Sequence, residues 1–82
     1  MESDVEYSKL NRRIDDADGI RAVEVYIYRP AGEKEWTLEV VNHENTSWLW
    51  DIPFVTDAEA LAEVNAQLDV YGMDVFYQPE EE

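Results

Sequence analysis

The single histidine and the absence of cysteine limit the catalytic chemistry that is open to this chain of 82 residues. His43 could act as a general base or a metal ligand, because imidazole titrates near neutral pH. Ser47 and Glu44 lie close to it in sequence, but their spacing matches no known catalytic motif. Asn42 and Asn45 favour a turn here, so we interpret His43 as a solvated turn residue. Without cysteine, thiolate catalysis, disulfides and Cys-based zinc sites are excluded.

Pairs of carboxylates are the second feature that could carry chemistry, because glycosidases and divalent-cation sites both use them. Pairs occur at Asp15 and Asp16, at Glu33 and Glu35, and at Glu59 and Glu63. A chain with 20 Asp and Glu supplies such pairs by coincidence, and the stretch from Asp15 to Gly19 lacks the alternation of a calcium-binding loop. A weak Ca²⁺ or Mg²⁺ site is an alternative. We nevertheless predict no catalytic, cofactor-binding or metal-binding residues, and therefore neither an enzyme nor a cofactor.

Aromatic residues are concentrated in one short stretch of the chain. Three of the residues from 48 to 54 are aromatic, namely Trp48, Trp50 and Phe54. This exceeds what one short strand needs, and Trp is enriched at interface hot spots. The aromatics either complete the core of a small domain or form an exposed patch, rimmed by acids, at a protein interface. Tyr26, Tyr28 and Trp36 would extend such a patch.

The charge of the chain restricts its partners. The formal net charge is −14, and no Lys or Arg follows Lys34. Such a chain repels phosphate backbones and anionic lipids, so we expect neither direct nucleic-acid binding nor membrane binding. The sequence assigns no structural role to Glu63, Asp69 and Asp74. We predict that these acids help to bind a basic protein, since opposite charge speeds encounter and orients it.

Helical periodicity predicts two helices that would position these side chains. The first spans residues 3–17 and the second spans residues 56–71, and each begins with the spacing of a capping box. The apolar positions are Tyr7, Leu10, Ile14 and Ala17 in the first helix, and Leu61, Val64, Leu68 and Tyr71 in the second. Because both stripes are one-sided, each helix is expected to pack against a sheet.

Alternation of apolar and polar residues predicts four strands. They span residues 20–29, 36–42, 47–52 and 73–78. The predicted fold class is α+β, an α-β-β-β-α-β two-layer sandwich with a mostly antiparallel four-stranded sheet and both helices on one face. The second helix would cross over to place the last strand parallel to a neighbour. We predict a single domain over residues 1–78 and a frayed acidic tail at 79–82.

The first five predicted elements, α-β-β-β-α, resemble the double-stranded RNA-binding domain in their order. That module contacts phosphates with basic residues, whereas the helix over residues 56–71 begins Thr56-Asp57-Ala58-Glu59 and contains no Lys or Arg. The resemblance covers element order alone. The charge of this helix excludes the corresponding function, because phosphate binding depends on cations.

Together these features predict a non-catalytic module that binds a basic protein. The predicted interaction residues are Trp48, Trp50, Tyr26, Tyr28, Glu63, Asp69 and Asp74. The alternative is a nucleic-acid mimic, of the kind that phages and plasmids encode, which would block a DNA- or RNA-binding protein. We expect a cytoplasmic location, because the chain has no disulfides and no signal-peptide pattern. We also expect a monomer or a weak homodimer, since like charges repel.

Overall fold

The computed structural model describes residues 5–77 of the chain, and within them the fold is α+β. The elements are strands β1 (Val5–Tyr7), β2 (Arg12–Asp15), β3 (Ala22–Pro30), β4 (Thr37–Asn42) and β5 (Ser47–Leu49), helix α1 (Asp57–Tyr71) and a 3₁₀ helix (Met73–Phe76). The α+β class is as predicted, but the predicted order of elements is wrong. The predicted acidic tail at 79–82 lies outside the described residues.

β3 is the central strand of the sheet, and every strand pair is antiparallel. One edge of β3 pairs with β4, which in turn pairs with β5. The other edge of β3 pairs with β2 over residues 22–25 and with β1 over residues 28–30, so these two strands lie end to end. The predicted four-stranded sheet is therefore wrong, because residues 5–77 form five strands and none of them is parallel to a neighbour.

The core lies on one face of this sheet. Every second side chain is buried throughout β4 and, in β3, from Val23 to Ile27, as expected for strands with one covered face. The buried cluster consists of Val23, Val25, Ile27, Trp36, Leu38, Val40, Ala60, Val64, Met73 and Phe76. Helix α1 and the 3₁₀ helix thus cover the face that carries the buried residues of β3 and β4. We call it the core face, and we call the opposite side of the sheet the open face.

Helix α1 begins where the capping residues place it. The Thr56 Oγ1 atom accepts a hydrogen bond from the Glu59 N–H at 3.1 Å, which satisfies one of the free donors of the first turn. Val64 is buried, as predicted, whereas Tyr71 is exposed and does not belong to the buried stripe. At the other end the Gly72 N–H bonds to the Leu68 carbonyl at 2.8 Å. No helix of residues 5–77 is both long enough and apolar enough to cross a membrane.

The predicted helix over residues 3–17 is wrong for the part that the structure describes, because β1 and β2 occupy it. Leu10 and Ile14 do pack against the core, but they reach it from an extended chain beside β3. Tyr7 pairs with Tyr28 on the open face instead. The stretch contains Asn11 and several aspartates, which are weak helix formers, so pairing with β3 overrides the helical spacing.

Residues 8–11 form a break between β1 and β2, where one backbone and one side-chain hydrogen bond replace the strand contacts to Ile27. The Ser8 N–H donates to the Ile27 carbonyl at 2.9 Å, and the Asn11 Oδ1 accepts from the Ile27 N–H at 2.6 Å. The Ser8 hydroxyl donates to the Asp57 carboxylate at 2.7 Å, which ties the break to the start of α1. The break turns Leu10 toward the core without leaving the backbone of Ile27 unsatisfied.

The predicted strand over residues 73–78 is also wrong for the described residues, which form the 3₁₀ helix at 73–76. Gly72 has a positive φ of 75°, which glycine adopts without strain, and it redirects the chain after α1. Met73 and Phe76 are both buried, and their three-residue spacing places them on one side of a 3₁₀ turn.

Asn42 joins the β4–β5 turn to the 3₁₀ helix. Its side chain is buried, and its Nδ2 donates to the Phe76 carbonyl at 2.8 Å. Its Oδ1 accepts from the Glu44 N–H at 2.8 Å and from the Thr46 N–H at 3.0 Å. One side chain therefore satisfies three backbone groups in two segments that are distant in sequence.

We predict that Asn42→Ala lowers the free energy of unfolding by about 2–3 kcal/mol, because it leaves the buried Phe76 carbonyl without a partner and opens the turn. Urea denaturation followed by Trp fluorescence measures the change. Asn65→Ala, at an exposed position of α1, is the matched control and should leave stability unchanged or slightly raised. Equal stability of the two variants would contradict this role of Asn42.

Candidate binding surface

The open face of the sheet carries aromatic and aliphatic side chains. Strand alternation and register place on it Val5 and Tyr7 of β1, Arg13 and Asp15 of β2, Glu24, Tyr26 and Tyr28 of β3, Thr37, Glu39 and Val41 of β4, and Ser47 and Leu49 of β5. No helix of residues 5–77 packs against these side chains, because α1 and the 3₁₀ helix contribute to the core on the other face. The solvated face of an antiparallel sheet is usually polar. An uncovered aromatic face is therefore the most unusual surface of this fold.

The break between β1 and β2 shapes a groove on this face. Tyr28 is paired with Tyr7 of β1, and Glu24 is paired with Arg13 of β2. Tyr26 lies between them, beside the break, and has no strand residue opposite it on that edge. The resulting groove has a volume of about 530 Å³ and is lined by Val5, Tyr7, Asn11, Tyr26, Tyr28, Glu39 and Val41.

Three tyrosines and one carboxylate give this groove its chemistry. The Tyr7 and Tyr28 rings are 6.0 Å apart between centroids and are tilted by 52°. The Tyr28 hydroxyl donates a long hydrogen bond of 3.3 Å to the Glu39 carboxylate, and Glu39 is the cross-strand partner of Tyr26. Burial, and then the negative charge of Glu39, raise the pKa of the Tyr28 phenol, so it keeps its proton as a donor.

Trp48 and Trp50 lie on the core face, away from Tyr26 and Tyr28. The Trp48 ring meets the Phe76 ring edge-on at 5.6 Å between centroids, and the Trp50 ring lies 6.4 Å from Phe76. Both indoles are half-buried and pack against the core. The predicted continuous aromatic patch is therefore divided between two faces, and the two tryptophans complete the core edge. A binding role for their exposed parts stays a prediction.

The three acids for which the sequence gives no structural role differ in their surroundings. Asp74 Oδ1 accepts from the Arg21 Nη1 at 2.6 Å, so it does have a structural role. Glu63 is half-buried and accepts from the Gln67 side chain at 3.0 Å. Asp69 is exposed on α1. These acids belong to the helical side of the molecule, so the structure does not bring them together with the tyrosine groove.

Arg21 is the centre of an ionic cluster that the sequence did not reveal. Besides Asp74 it bonds Asp16 at 2.9 Å and Asp18 at 3.2 Å, and its guanidinium lies 5.5 Å from the centroid of the Tyr77 ring. The carboxylates of Asp74 and then Asp16 raise the pKa of Arg21 further, so it stays charged. The cluster fixes the β2–β3 turn against the end of the 3₁₀ helix.

His43 and the carboxylate pairs do not assemble a reactive site among residues 5–77. His43 is exposed in the β4–β5 turn, and its backbone N–H donates to the Tyr77 hydroxyl at 3.1 Å. No described hydrogen bond or ion pair joins its ring to Ser47 or Glu44. Within the same residues, no three His, Asp or Glu side chains come together in a way that could hold a metal ion.

We predict that the contribution of Asp18 to stability depends on pH. The N–H groups of Ile20 and Arg21 donate to its carboxylate and hold the pKa of Asp18 below its ordinary value of 3.8. A carboxyl group with a lowered folded pKa stabilises the fold above its unfolded pKa, and this stabilisation disappears as the pH falls through the folded pKa. Asp18→Ala should therefore be less stable than the wild type at pH 7, by a margin that shrinks below pH 3.8.

Urea denaturation at pH 7 and at pH 3 measures this margin. Asp51→Ala is the control, because it removes the same charge from an exposed loop residue for which the structure shows no hydrogen bond or ion pair. The stability difference between Asp18→Ala and Asp51→Ala should shrink from pH 7 to pH 3. A difference that stays constant would contradict the proposed pH-dependent role of Asp18.

No protein-family model, curated protein or solved structure matches this chain. The function therefore has to be inferred from the surfaces themselves. Among those of residues 5–77, the tyrosine groove on the open face combines apolar area, hydrogen-bonding groups and charge in one concavity.

Proposed function

We propose that this protein is a non-catalytic module that binds a basic protein through the open face of its sheet. The observation that carries the proposal is the composition of that face, where the exposed side chains of Tyr26 and Leu49 lie opposite Glu39 on its two neighbouring strands, and Tyr7 is exposed on β1. Binding would remove this apolar area from water, which stabilises a complex by about 25 cal/mol per Å² before association costs.

The residue types of the open face favour a protein partner. Tyrosine is enriched in interfaces because it offers a large rigid surface with a hydroxyl that can remain hydrogen-bonded. Tyr7 and Leu49 expose 62% and 59% of their surface, although both lie in a sheet whose other face carries the core. Isolated exposed apolar residues need no explanation, but several on one flat surface indicate a contact site.

The charge of the protein favours a basic partner. Its arginines are largely engaged within the fold: Arg21 bonds three aspartates, Arg13 bonds Asp15, and Arg29 bonds Glu6 and covers the Trp36 ring. The surplus acids, which give the net charge of −14, are left to set the external field. Such a field attracts positively charged surfaces and raises their association rate.

We further propose that this binding takes place in the cytoplasm and that the protein is a monomer or a weak homodimer. The chain has no cysteine, although small domains of oxidising compartments commonly depend on disulfides. Two copies would bring together two bodies of charge −14, so self-association through the open face would work against strong repulsion.

Nucleic-acid mimicry is the alternative, and no specific observation favours it over the open face. A mimic needs free carboxylates in a row with phosphate-like spacing. The acids expected to form such a row are Asp57, Glu59 and Glu63 of α1 and the glutamates of the tail, which lies outside the described residues. Asp57 accepts from Ser8 and Glu63 from Gln67, whereas Glu59 is exposed.

We predict that removing apolar side chains from the open face weakens partner binding. In the double variant Tyr7→Ser/Leu49→Ser, capture of cellular proteins on immobilised protein should fall by about thirtyfold or more, because truncation of a residue that carries binding energy typically costs about 1 kcal/mol or more. The matched control is Val70→Ser/Tyr71→Ser, which removes two side chains of similar exposure, 70% and 63%, from the end of α1. Both double variants keep the net charge.

Quantitative mass spectrometry of the captured proteins at low and high salt gives the readout. We expect a set of proteins that the wild type and the α1 variant retain at low salt and that the open-face variant does not retain. High salt should release these proteins from the wild type. Equal capture by both double variants, or no captured protein at low salt, would refute the proposed use of the open face. Release by heparin of a protein that both variants retain would favour the mimic.

A further inference from the structure

We propose that the tyrosine groove beside the strand break is a receptor for a single cationic side chain, lysine or arginine, presented by a basic segment of the partner. This inference rests on the proposed function and names the chemical group that the open face would recognise. The site consists of the rings of Tyr7, Tyr26 and Tyr28 and the carboxylate of Glu39, which line one groove.

The aromatic side chains that line the groove are groups that attract a cation. A cation is attracted to the face of an aromatic ring within about 6 Å of its centroid, and several rings around one cation form an aromatic cage. Tyr7 and Tyr28 are tilted by 52° and 6.0 Å apart, so their rings do not stack flat against each other. Tyr26 precedes Tyr28 by two residues in β3, so it projects from the same open face, and it lies beside the gap in the edge strand.

The polar groups of the groove complement a positive charge and not a negative one. Glu39 offers a carboxylate whose hydrogen bond from the Tyr28 hydroxyl is long, at 3.3 Å, so it retains acceptor capacity for a further donor. No Lys or Arg is among the described residues that line the groove. An anion would meet Glu39 and the negative faces of the rings, so this site selects for cations.

The strand break explains why the cage is open at this position. A continuous edge strand would place an outward side chain opposite Tyr26, as Tyr7 lies opposite Tyr28. Instead the Asn11 side chain bonds to the backbone of Ile27 at 2.6 Å, which preserves the sheet while no strand side chain fills the space beside Tyr26. The space is therefore built into the fold and does not have to form when a ligand arrives, which reduces the cost of binding.

The protein already contains an interaction of the same kind on its other face. The Arg29 guanidinium lies 4.0 Å from the centroid of the Trp36 ring while its Nε bonds Glu6 at 3.0 Å. One aromatic ring and one carboxylate thus hold a cation there. The tyrosine groove offers the same two kinds of partner without an internal cation to occupy them.

The test is a ¹H–¹⁵N NMR titration of the full chain with an octapeptide of alternating lysine and glycine, in parallel with arginine–glycine and norleucine–glycine peptides. We expect the lysine or arginine peptide to shift the amide signals of β1, β3 and β4 around the groove, and the neutral norleucine peptide to shift none. The stronger of the two cationic peptides identifies the preferred side chain. Absence of saturable binding by both cationic peptides would overturn the proposal.

Two pairs of variants separate the groove from the overall charge. Tyr26→Leu keeps the apolar bulk but removes a ring face, and Tyr71→Leu makes the same change at the end of α1. Glu39→Gln and Glu63→Gln each remove one charge from a half-buried carboxylate with one side-chain hydrogen bond. We expect the groove variants to weaken binding about fivefold or more, and the α1 variants less than about twofold.

Equal weakening by Glu39→Gln and Glu63→Gln, or no effect of Tyr26→Leu in a protein with an intact NMR spectrum, would overturn the cationic groove. The proposed function would survive this result if capture of cellular proteins still depended on Tyr7 and Leu49. Conversely, the cationic peptides could bind in the groove while the Tyr7→Ser/Leu49→Ser variant captures cellular proteins as well as the wild type does. That result would refute the proposed function but not the cationic groove.

Discussion

The interruption of the edge strand at residues 8–11 is the constraint on which the rest of this structure depends. The segment before β3 pairs with it twice, on either side of the break, and the Ile27 backbone between these pairings bonds to Ser8 and to the Asn11 side chain. This arrangement brings Leu10 to the core face and lets Ser8 bond to the first residue of α1. The same break leaves Tyr26 without a strand residue opposite it on that edge of β3. Packing on one face and the groove on the other therefore have a common cause.

The small number of helices explains the composition of the open face. A fifteen-residue helix followed by a 3₁₀ turn covers only one side of a five-stranded sheet. The residues of β3 show the consequence, because Val25 and Ile27 are fully buried while Tyr26 between them is exposed. A strand that only had to be solvated on this side would carry charged or hydroxyl residues. Tyrosine has a high strand propensity and a hydroxyl that stays hydrated, so this face tolerates exposure to water without a large loss of stability.

Local sequence patterns could predict the elements in which apolar and polar residues follow a regular period or a capping motif marks the end. β3, β4 and α1 follow from strict alternation and from a cap at Thr56, and their predicted bounds are close to the observed ones. The segment before β3 could not be predicted, because Leu10 and Ile14 have helical spacing but reach the core through pairing with a distant strand. Met73, Val75 and Tyr77 alternate like a strand, yet Gly72 and the burial of Phe76 make a 3₁₀ turn. Of the residues that line the tyrosine groove, Tyr26 and Tyr28 could be placed on one face from the alternation in β3. Tyr7 and Glu39 could be placed beside them only from the strand register.

In the proposed function, different residues would attract a basic partner and recognise it. The unpaired carboxylates would attract it, and the tyrosine groove would recognise one of its side chains. Arg21 and Arg29 neutralise acids that lie beside the framework, which leaves the remaining carboxylates to produce the external field. At physiological salt the field of exposed charges decays over about 8 Å. Because it depends on charge and not on shape, it attracts any cationic surface without distinguishing among them. Contacts with ring faces act only within about 6 Å and demand a defined geometry. In the proposed function, a groove of tyrosines beside Glu39 would therefore supply the discrimination that a net charge of −14 alone does not.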